Sequence, residues 1–347
     1  MIARTSAPPL IAISMGDPAG VGPEVVLKAV ASIARARHPP RVVVIGDLNV
    51  MAETARRLRR VPRPYLWNPG DAALPLTRGI AIMPASDLPK MARRPGHPTA
   101  EGGDACFRYV VMGARMAMDG EIDALVTAPI SKEWWDRAGH HYPGHSELLA
   151  EIGKARRWRM MFAGGQLKLA LVTVHMGLKE VSAKLTRPAV FETIRLLHRH
   201  LRENARVASP RIAVLGFNPH AGENGLFGDE EIRAIAPAIR AARRAGIDAF
   251  GPIPPDTAFI RPAGRFNFDG AVAMYHDQGL IPLKTLEFDR AVNVTLGLPF
   301  VRTSPDHGTA MDIAGTGRAN PSSMIAALEY AWRVAQARGG AARRRGE

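Results

Sequence analysis

Short apolar runs alternate with longer amphipathic ones along the 347 residues. The short runs, Leu10–Ser14, Arg41–Ile45, Ala124–Val126, Leu167–Val174, Arg211–Phe217 and Ala271–Tyr275, predict strands. The longer ones, Pro23–Ala34, Ala105–Met118, Arg187–Leu201, Asp229–Ala245 and Pro321–Ala337, predict helices. That order is the signature of a mostly parallel sheet covered by helices, an α/β fold. No repeat-sized period appears, and the Pro/Gly-rich stretches Val61–Pro75 and Pro84–Pro98 read as loops or edge structure.

Open α/β sheets bind ligands beyond the carboxyl ends of their strands. Three predicted strands run there into a histidine: His175, then His220 within Asn218-Pro219-His220-Ala221-Gly222-Glu223, then His276 within His276-Asp277-Gln278-Gly279. One such histidine is usually a loop residue, but three at equivalent strand ends suit a divalent metal with an open coordination position. His38, His198 and His200 read as solvated.

The segment Gly16-Asp17-Pro18-Ala19-Gly20-Val21-Gly22-Pro23 lacks both the GK[ST] ending of a P-loop and the GxGxxG of a Rossmann fingerprint. It reads as a tight strand-to-helix turn, with Pro23 at the first helical position and Glu24 at the positive helix end. Gly144-His145-Ser146-Glu147 opens a helix whose free N–H groups favour an anion, and Lys284 and Arg302 sit just beyond strand-like runs. Asn293, inside the apolar run Val292–Leu298, must face solvent or a ligand. Asp256 reads as the N-cap of a following helix, Trp134-Trp135 as core or interface, and Cys106 as small packing.

Composition narrows the class. Lys and Arg total 46 against 32 Asp and Glu, for a net charge of +14. Clustered bases with interleaved aromatics would point to nucleic acid. Here aromatics are 6% and the bases are dispersed, so no nucleic-acid partner is expected. A lone cysteine, no apolar leader in Met1–Leu10 and no run near the ~20 apolar residues of a membrane span predict a cytoplasmic protein without membrane contact. The Arg-rich tail Arg338–Glu347 reads as a frayed, solvated end.

Six motifs in order carry a resemblance: Met15-Gly16-Asp17-Pro18-Ala19-Gly20-Val21-Gly22-Pro23-Glu24, Thr127-Ala128-Pro129, Gly144-His145-Ser146-Glu147, Asn218–Glu223, Met274-Tyr275-His276-Asp277-Gln278-Gly279 and Asp306-His307-Gly308-Thr309-Ala310. Together the chain resembles the 4-hydroxythreonine-4-phosphate dehydrogenase family of vitamin B6 synthesis, from about Ile11 to about Ala337. The resemblance implies a two-domain α/β/α fold of the isocitrate and isopropylmalate dehydrogenase type, with no Rossmann fingerprint. One domain would comprise residues 1–133 plus 304–347 and the other 134–303, with the active site in the cleft between them.

Carried over by position, the resemblance puts metal ligands at His175, His220 and His276, drawn from both subunits of a homodimer. It puts substrate contacts at His145, Ser146, Lys284, Asn293 and Arg302. NAD or NADP would be recognised by His307, Gly308, Thr309, Ala310, Asp312 and Asn320, and the metal would be zinc, cobalt or magnesium. Lys284 is assigned to positioning and proton transfer, and Asp256 to orienting a ligand histidine or relaying a proton. The implied reaction oxidises 4-phosphooxy-L-threonine to a 3-oxo acid that loses CO2, giving 3-amino-2-oxopropyl phosphate. D-Threonate or D-erythronate 4-phosphate is the alternative substrate. The chain departs from the family pattern at Ser146, usually Thr, at Pro255, usually Ala, and at Met176-Gly177, usually Leu-Pro.

Overall fold

The computed structural model describes residues 8–71 and 75–344. Parts of Met1–Leu10, of Val61–Pro75 and of the tail lie outside them. The strands are β1 (Leu10–Ser14), β2 (Arg41–Asp47), β3 (Arg63–Leu66), β4 (Gly79–Ser86), β5 (Ala124–Thr127), β6 (Arg159–Ala163), β7 (Lys168–Leu171), β8 (Arg211–Leu215), β9 (Asp248–Ile253), β10 (Gly270–Ala273), β11 (Val292–Leu296) and β12 (Arg302–Pro305). The helices are α1 (Gly22–Ile33), α2 (Leu48–Arg57), α3 (Ala100–Met118), α4 (Lys132–Arg137), α5 (His145–Ile152), α6 (Leu178–Lys184), α7 (Arg187–Glu203), α8 (Ala236–Arg244), α9 (His276–Glu287) and α10 (Ser322–Arg344).

The chain divides into two compact units, Met1–Ala155 with Leu298–Glu347, and Arg156–Gly297. In the unit built from both chain ends, six strands lie in the order β3-β4-β2-β1-β5-β12, all parallel. Ile11, Ala12, Ile13, Val44, Ile45, Leu125 and Val126 are buried to the last percent, as both-faced burial of parallel strands requires. Residues 134–155 and 298–303, expected in the central domain, pack in this unit instead. The cause is α4: its Trp135 is fully buried, edge-on to Phe107 of α3 at 5.3 Å. Likewise Leu125 N–H donates to Val301 O at 2.9 Å, which seats the lead-in to β12.

In the central unit the order is β11-β6-β7-β10-β8-β9, with β6 antiparallel to both neighbours and the remainder parallel. Caps start helices where the residues allow it. Thr99 accepts from Gly102 N–H ahead of α3, and Thr186 from Ala189 N–H ahead of α7.

Several local expectations change. Asp229–Ala245 is not one helix, because a π-helical turn over Glu231–Ile235 precedes α8. No helix follows Asp256, which is exposed in a turn closed by Ala258 N–H donating to Pro254 O. His200 is buried rather than solvated, with Asn204 Nδ2 2.9 Å from its Nδ1. The tail from Arg338 to Arg344 continues α10. Among the described residues, no helix is long and apolar enough to cross a membrane.

Candidate active site

Strands β7, β10 and β8 are parallel neighbours, so their carboxyl ends share one edge of the central unit. That edge is sewn together by side chains. Thr173 Oγ1 donates to Met274 O at 2.7 Å, tying the end of β7 to that of β10. Gln278 accepts from Met274 N–H and donates through Nε2 to Gly216 O, both at 2.7 Å, tying β10 to β8. Gly279 lets α9 lie flat on β7, since a Cβ there would sit 2.1 Å from Leu169 Cδ2. The His276-Asp277-Gln278-Gly279 motif is thus mostly architectural, and its histidine is what remains to face a ligand.

The rings of His175 and His276 stand 5.8 Å apart. His276 Nδ1 donates to Asp277 Oδ1 at 2.7 Å, which favours the tautomer whose Nε2 could take a metal, the usual outer arrangement of a metal-bound imidazole. Among the described residues His220 is not grouped with this pair, and its ring stands 6.2 Å from that of Phe227. Among the described residues no group of three His, Cys, Asp or Glu is placed to hold a metal. Two imidazoles with a carboxylate behind one of them fit part of a divalent-metal site.

His220 sits in an unusual turn. Residues 220–224 all have left-handed backbone, with φ of 51, 54, 82, 43 and 56°. For L-residues this costs roughly 1–2 kcal/mol each. What holds the turn is Glu231. Its Oε1 accepts from the N–H groups of Phe217 (2.6 Å) and Asn218 (2.8 Å), and its Oε2 accepts from Asn218 Nδ2 at 2.8 Å. Burial raises the pKa of the adjacent Glu230 carboxyl, but hydrogen bonds from Ser182 and Asn218, with Arg233 nearby, outweigh it and hold the group below its usual range.

Lys284 is half-buried on α9, its Nζ 6.0 Å from the Phe288 ring. Asn293 on β11 is half-buried, and its Oδ1 is enclosed without a hydrogen-bond partner among the described residues. Of its two expected readings, the enclosed oxygen fits the ligand-facing one better than the solvent-facing one.

The second cluster belongs to the end-built unit. Arg302 is 2% exposed, and its Nε and Nη2 donate to Thr127 Oγ1 at 3.2 and 2.7 Å. Burial lowers its pKa to about 9, with Glu147 pulling the other way, so it stays a cation at neutral pH. His145, first residue of α5, has an enclosed Nε2 with no partner among the described residues. Burial, then the charges of Arg302 and Lys132, hold its imidazole well below the usual range, so it is neutral. Lys132 overhangs the start of α5: a Cβ on Gly144 would lie 3.4 Å from its Cε. Ser146 is buried one residue on. A helix start, a buried guanidinium and a lysine around a neutral imidazole form a receptor for an oxyanion.

Residues 306–320 form the loop between β12 and α10. His307 Nε2 is enclosed without a partner among the described residues, while Nδ1 lies 3.0 Å from Gly308 O. Ala310 is left-handed, and Gly308 and Asp312 are exposed. Asn320 has a structural task, because its Oδ1 accepts from Ser322 N–H and Ser322 Oγ at the start of α10. The orphaned His307 nitrogen beside exposed backbone fits the edge of a nucleotide cofactor.

Residues 38–331 match the family model described as pyridoxal phosphate biosynthetic protein PdxA. The chain is 49% identical over 337 residues to the 4-hydroxythreonine-4-phosphate dehydrogenase of Geobacter metallireducens, covering 95% of this chain and 97% of that one. The chain belongs to the PdxA family. Crystallographically, the 4-hydroxythreonine-4-phosphate dehydrogenase of Klebsiella pneumoniae superposes with a TM-score of 0.82 at 43% identity, covering 94% of this chain and all of that one. The D-threonate 4-phosphate dehydrogenase of Pectobacterium atrosepticum is also 43% identical, over 94% of this chain and 99% of that one. As a PdxA-family member the chain is an oxidoreductase.

Against this family background, Thr127, Lys132 and Glu147 went unassigned in the sequence although they stood inside or beside quoted motifs. Their signal was position, since Thr127 ends β5 and Lys132 opens α4. Asp17 was also missed: it is 2% exposed, and burial raises its pKa to about 6 despite the bond it accepts from Ala19 N–H.

Proposed function

We propose that the protein oxidises 4-phosphooxy-L-threonine with NAD+ or NADP+ and a divalent metal, yielding 3-amino-2-oxopropyl phosphate and CO2 in pyridoxine 5'-phosphate synthesis. The observation that carries this reading is the histidine edge. Three neighbouring parallel strands each lead to a histidine, two of the rings stand 5.8 Å apart, and Lys284 lies two turns along the helix that begins with His276.

His175 and His276 would hold the metal with a third imidazole, His220, from a second copy. When bound, the metal would polarise the substrate's alcohol oxygen and NAD(P)+ would take the hydride from its carbon. Lys284 accepts the alcohol proton and returns one to the carbon left by decarboxylation. Arg302, Lys132 and the α5 start receive the phosphate, with the hydroxyls of Ser146 and Thr127 at hand. Asn293 Oδ1 offers an acceptor to the substrate's ammonium or hydroxyl hydrogens. Asp256, exposed in a turn, fits proton relay to solvent better than orientation of a ligand.

The surface of the central unit supports reading the protein as a homodimer. Leu178, Leu226, Phe227, Ile232, Ile281 and Phe288 are between 48% and 73% exposed, on or beside the elements that carry the histidines. Apolar groups of this size are stabilised by a cover, and a second copy would bring another His220 to the same face. A buried, unpaired Cys106, whose thiol pKa burial pushes up, suits a reducing cytoplasm.

The D-threonate 4-phosphate reading is favoured by one relative's name and shares every residue above. The two separate on substrate: cofactor reduction should be at least tenfold faster, as kcat/KM, with 4-phosphooxy-L-threonine. The reverse order would transfer the assignment to the D-threonate phosphate.

A further inference from the structure

We infer that Glu24 and Lys28 are positioning residues for the nicotinamide cofactor, acting through the 306–320 loop; this rests on reading that loop as the cofactor's. The glycine-rich segment at Gly16–Glu24 failed both phosphate-loop tests, and the hydrogen bonds show another task for it. Val21 N–H donates to Thr309 O at 2.9 Å. Gly20 permits that approach, since a Cβ on it would meet Thr309 O at 3.0 Å.

The rest is done by one turn of α1. Glu24, 2% exposed, accepts from Gly317 N–H through Oε2 at 3.1 Å and from Ala319 N–H through Oε1 at 2.8 Å. Lys28 Nζ donates to Gly317 O and Ala319 O, both at 2.8 Å, and to Glu24 Oε1 at 2.7 Å. At both Gly317 and Ala319 the carboxylate therefore holds the N–H and the ammonium holds the carbonyl. Lys28 has three donors and all three are used. Arg318, between the two clamped residues, is left exposed. Because the bonds are charge-assisted and Glu24 is buried, they are the strong kind. Their removal frees the loop's end without touching its own side chains. Binding a nucleotide on a loop not already ordered costs affinity.

The test uses the full-length enzyme with Lys28→Met, and Lys28→Arg as the rescue, since a guanidinium also has donors for two carbonyls. Calorimetric titration should show the Kd for NAD(P)+ raised about tenfold in Lys28→Met and restored in large part by Lys28→Arg. Amide exchange across 315–320 should quicken in the unliganded Lys28→Met protein. The KM for cofactor should rise while kcat and the KM for the phosphorylated substrate stay within about twofold. An unchanged cofactor Kd and unchanged exchange in folded Lys28→Met would overturn the inference. If Lys28→Met does not fold, Glu24→Gln, which keeps the shape and surrenders an acceptor, carries the same measurements. Wild-type protein that binds neither cofactor would overturn the cofactor reading, while the exchange result would still report on the clamp.

Discussion

Arg302 holds a positive charge where burial penalises it, and Thr127 and Glu147 are the neighbours that keep it there. A planar guanidinium has five donors in a fixed fork, enough to bond Thr127 and still meet an anion bidentately, which a lysine cannot match. Arg302→Lys should raise the KM for the phosphorylated substrate about ten- to a hundredfold, roughly 1.4–2.7 kcal/mol, with cofactor KM unchanged. An unaltered substrate KM would place the phosphate elsewhere. Asp17 offers a second residue-scale test. Its folded pKa of about 6 lies above the ordinary carboxyl value of 3.8, so its contribution is fully present below about pH 4 and lost as pH rises through 6. Asp17→Asn removes that loss and keeps an oxygen for Ala19 N–H. The variant should be more stable than wild type at pH 8, by up to about 3 kcal/mol, and should lose that advantage at pH 4. Denaturant melts at the two pH values measure it.

At the scale of elements, the turn bearing His220 would couple local conformation to the proposed metal site. Gly222 has φ +82°, and a Cβ there would meet Glu231 Oε2 at 2.7 Å. Gly222→Ala should therefore lower stability by about 2 kcal/mol and reduce retained metal, read from urea melts and elemental analysis of the purified protein. Full stability with full metal content would mean the turn relaxes without consequence. The same scale explains what the sequence could tell. The strands leading to the histidines were legible because their apolarity is nearly continuous. β12 was not, because Arg302-Thr303-Ser304-Pro305 reads as loop, yet all four are buried. Their polar atoms find partners pairwise, as when Thr303 Oγ1 donates to Ala327 O at 2.9 Å. Patterning infers burial from apolarity, so it fails where polar groups are satisfied inside. The left-handed run at 220–224 was equally hidden, since Gly222 and Asn224 favour that backbone but Ala221 and Glu223 between and beside them do not.

For the whole molecule, division into an end-built and a central unit assigns separate duties. The end-built unit holds the cluster around Arg302 and His145, proposed to receive the phosphate, and the 306–320 loop, and the central unit holds His175, His220, His276 and Lys284. The resemblance implied the cofactor loop for the first and the histidines for the second, but it also put His145, Ser146 and Arg302 in the central domain, whereas they pack in the end-built unit. The boundaries shifted because the packing of Trp135 on Phe107 reaches across sequence in a way no local signal announces. Exposed apolar side chains near the histidines predict that Leu226→Glu with Ile281→Glu gives a monomer in sedimentation, with metal lost along with association. A metal-replete monomer would show that one chain suffices. The most direct test of the central claim is cofactor reduction with 4-phosphooxy-L-threonine after chelation, with zinc, cobalt or magnesium then restored, in wild type and His220→Ala. A metal site completed by His220 predicts turnover that vanishes with the chelator, returns with the metal and is absent from the variant. Turnover that survives chelation, or that His220→Ala retains in full, would contradict it.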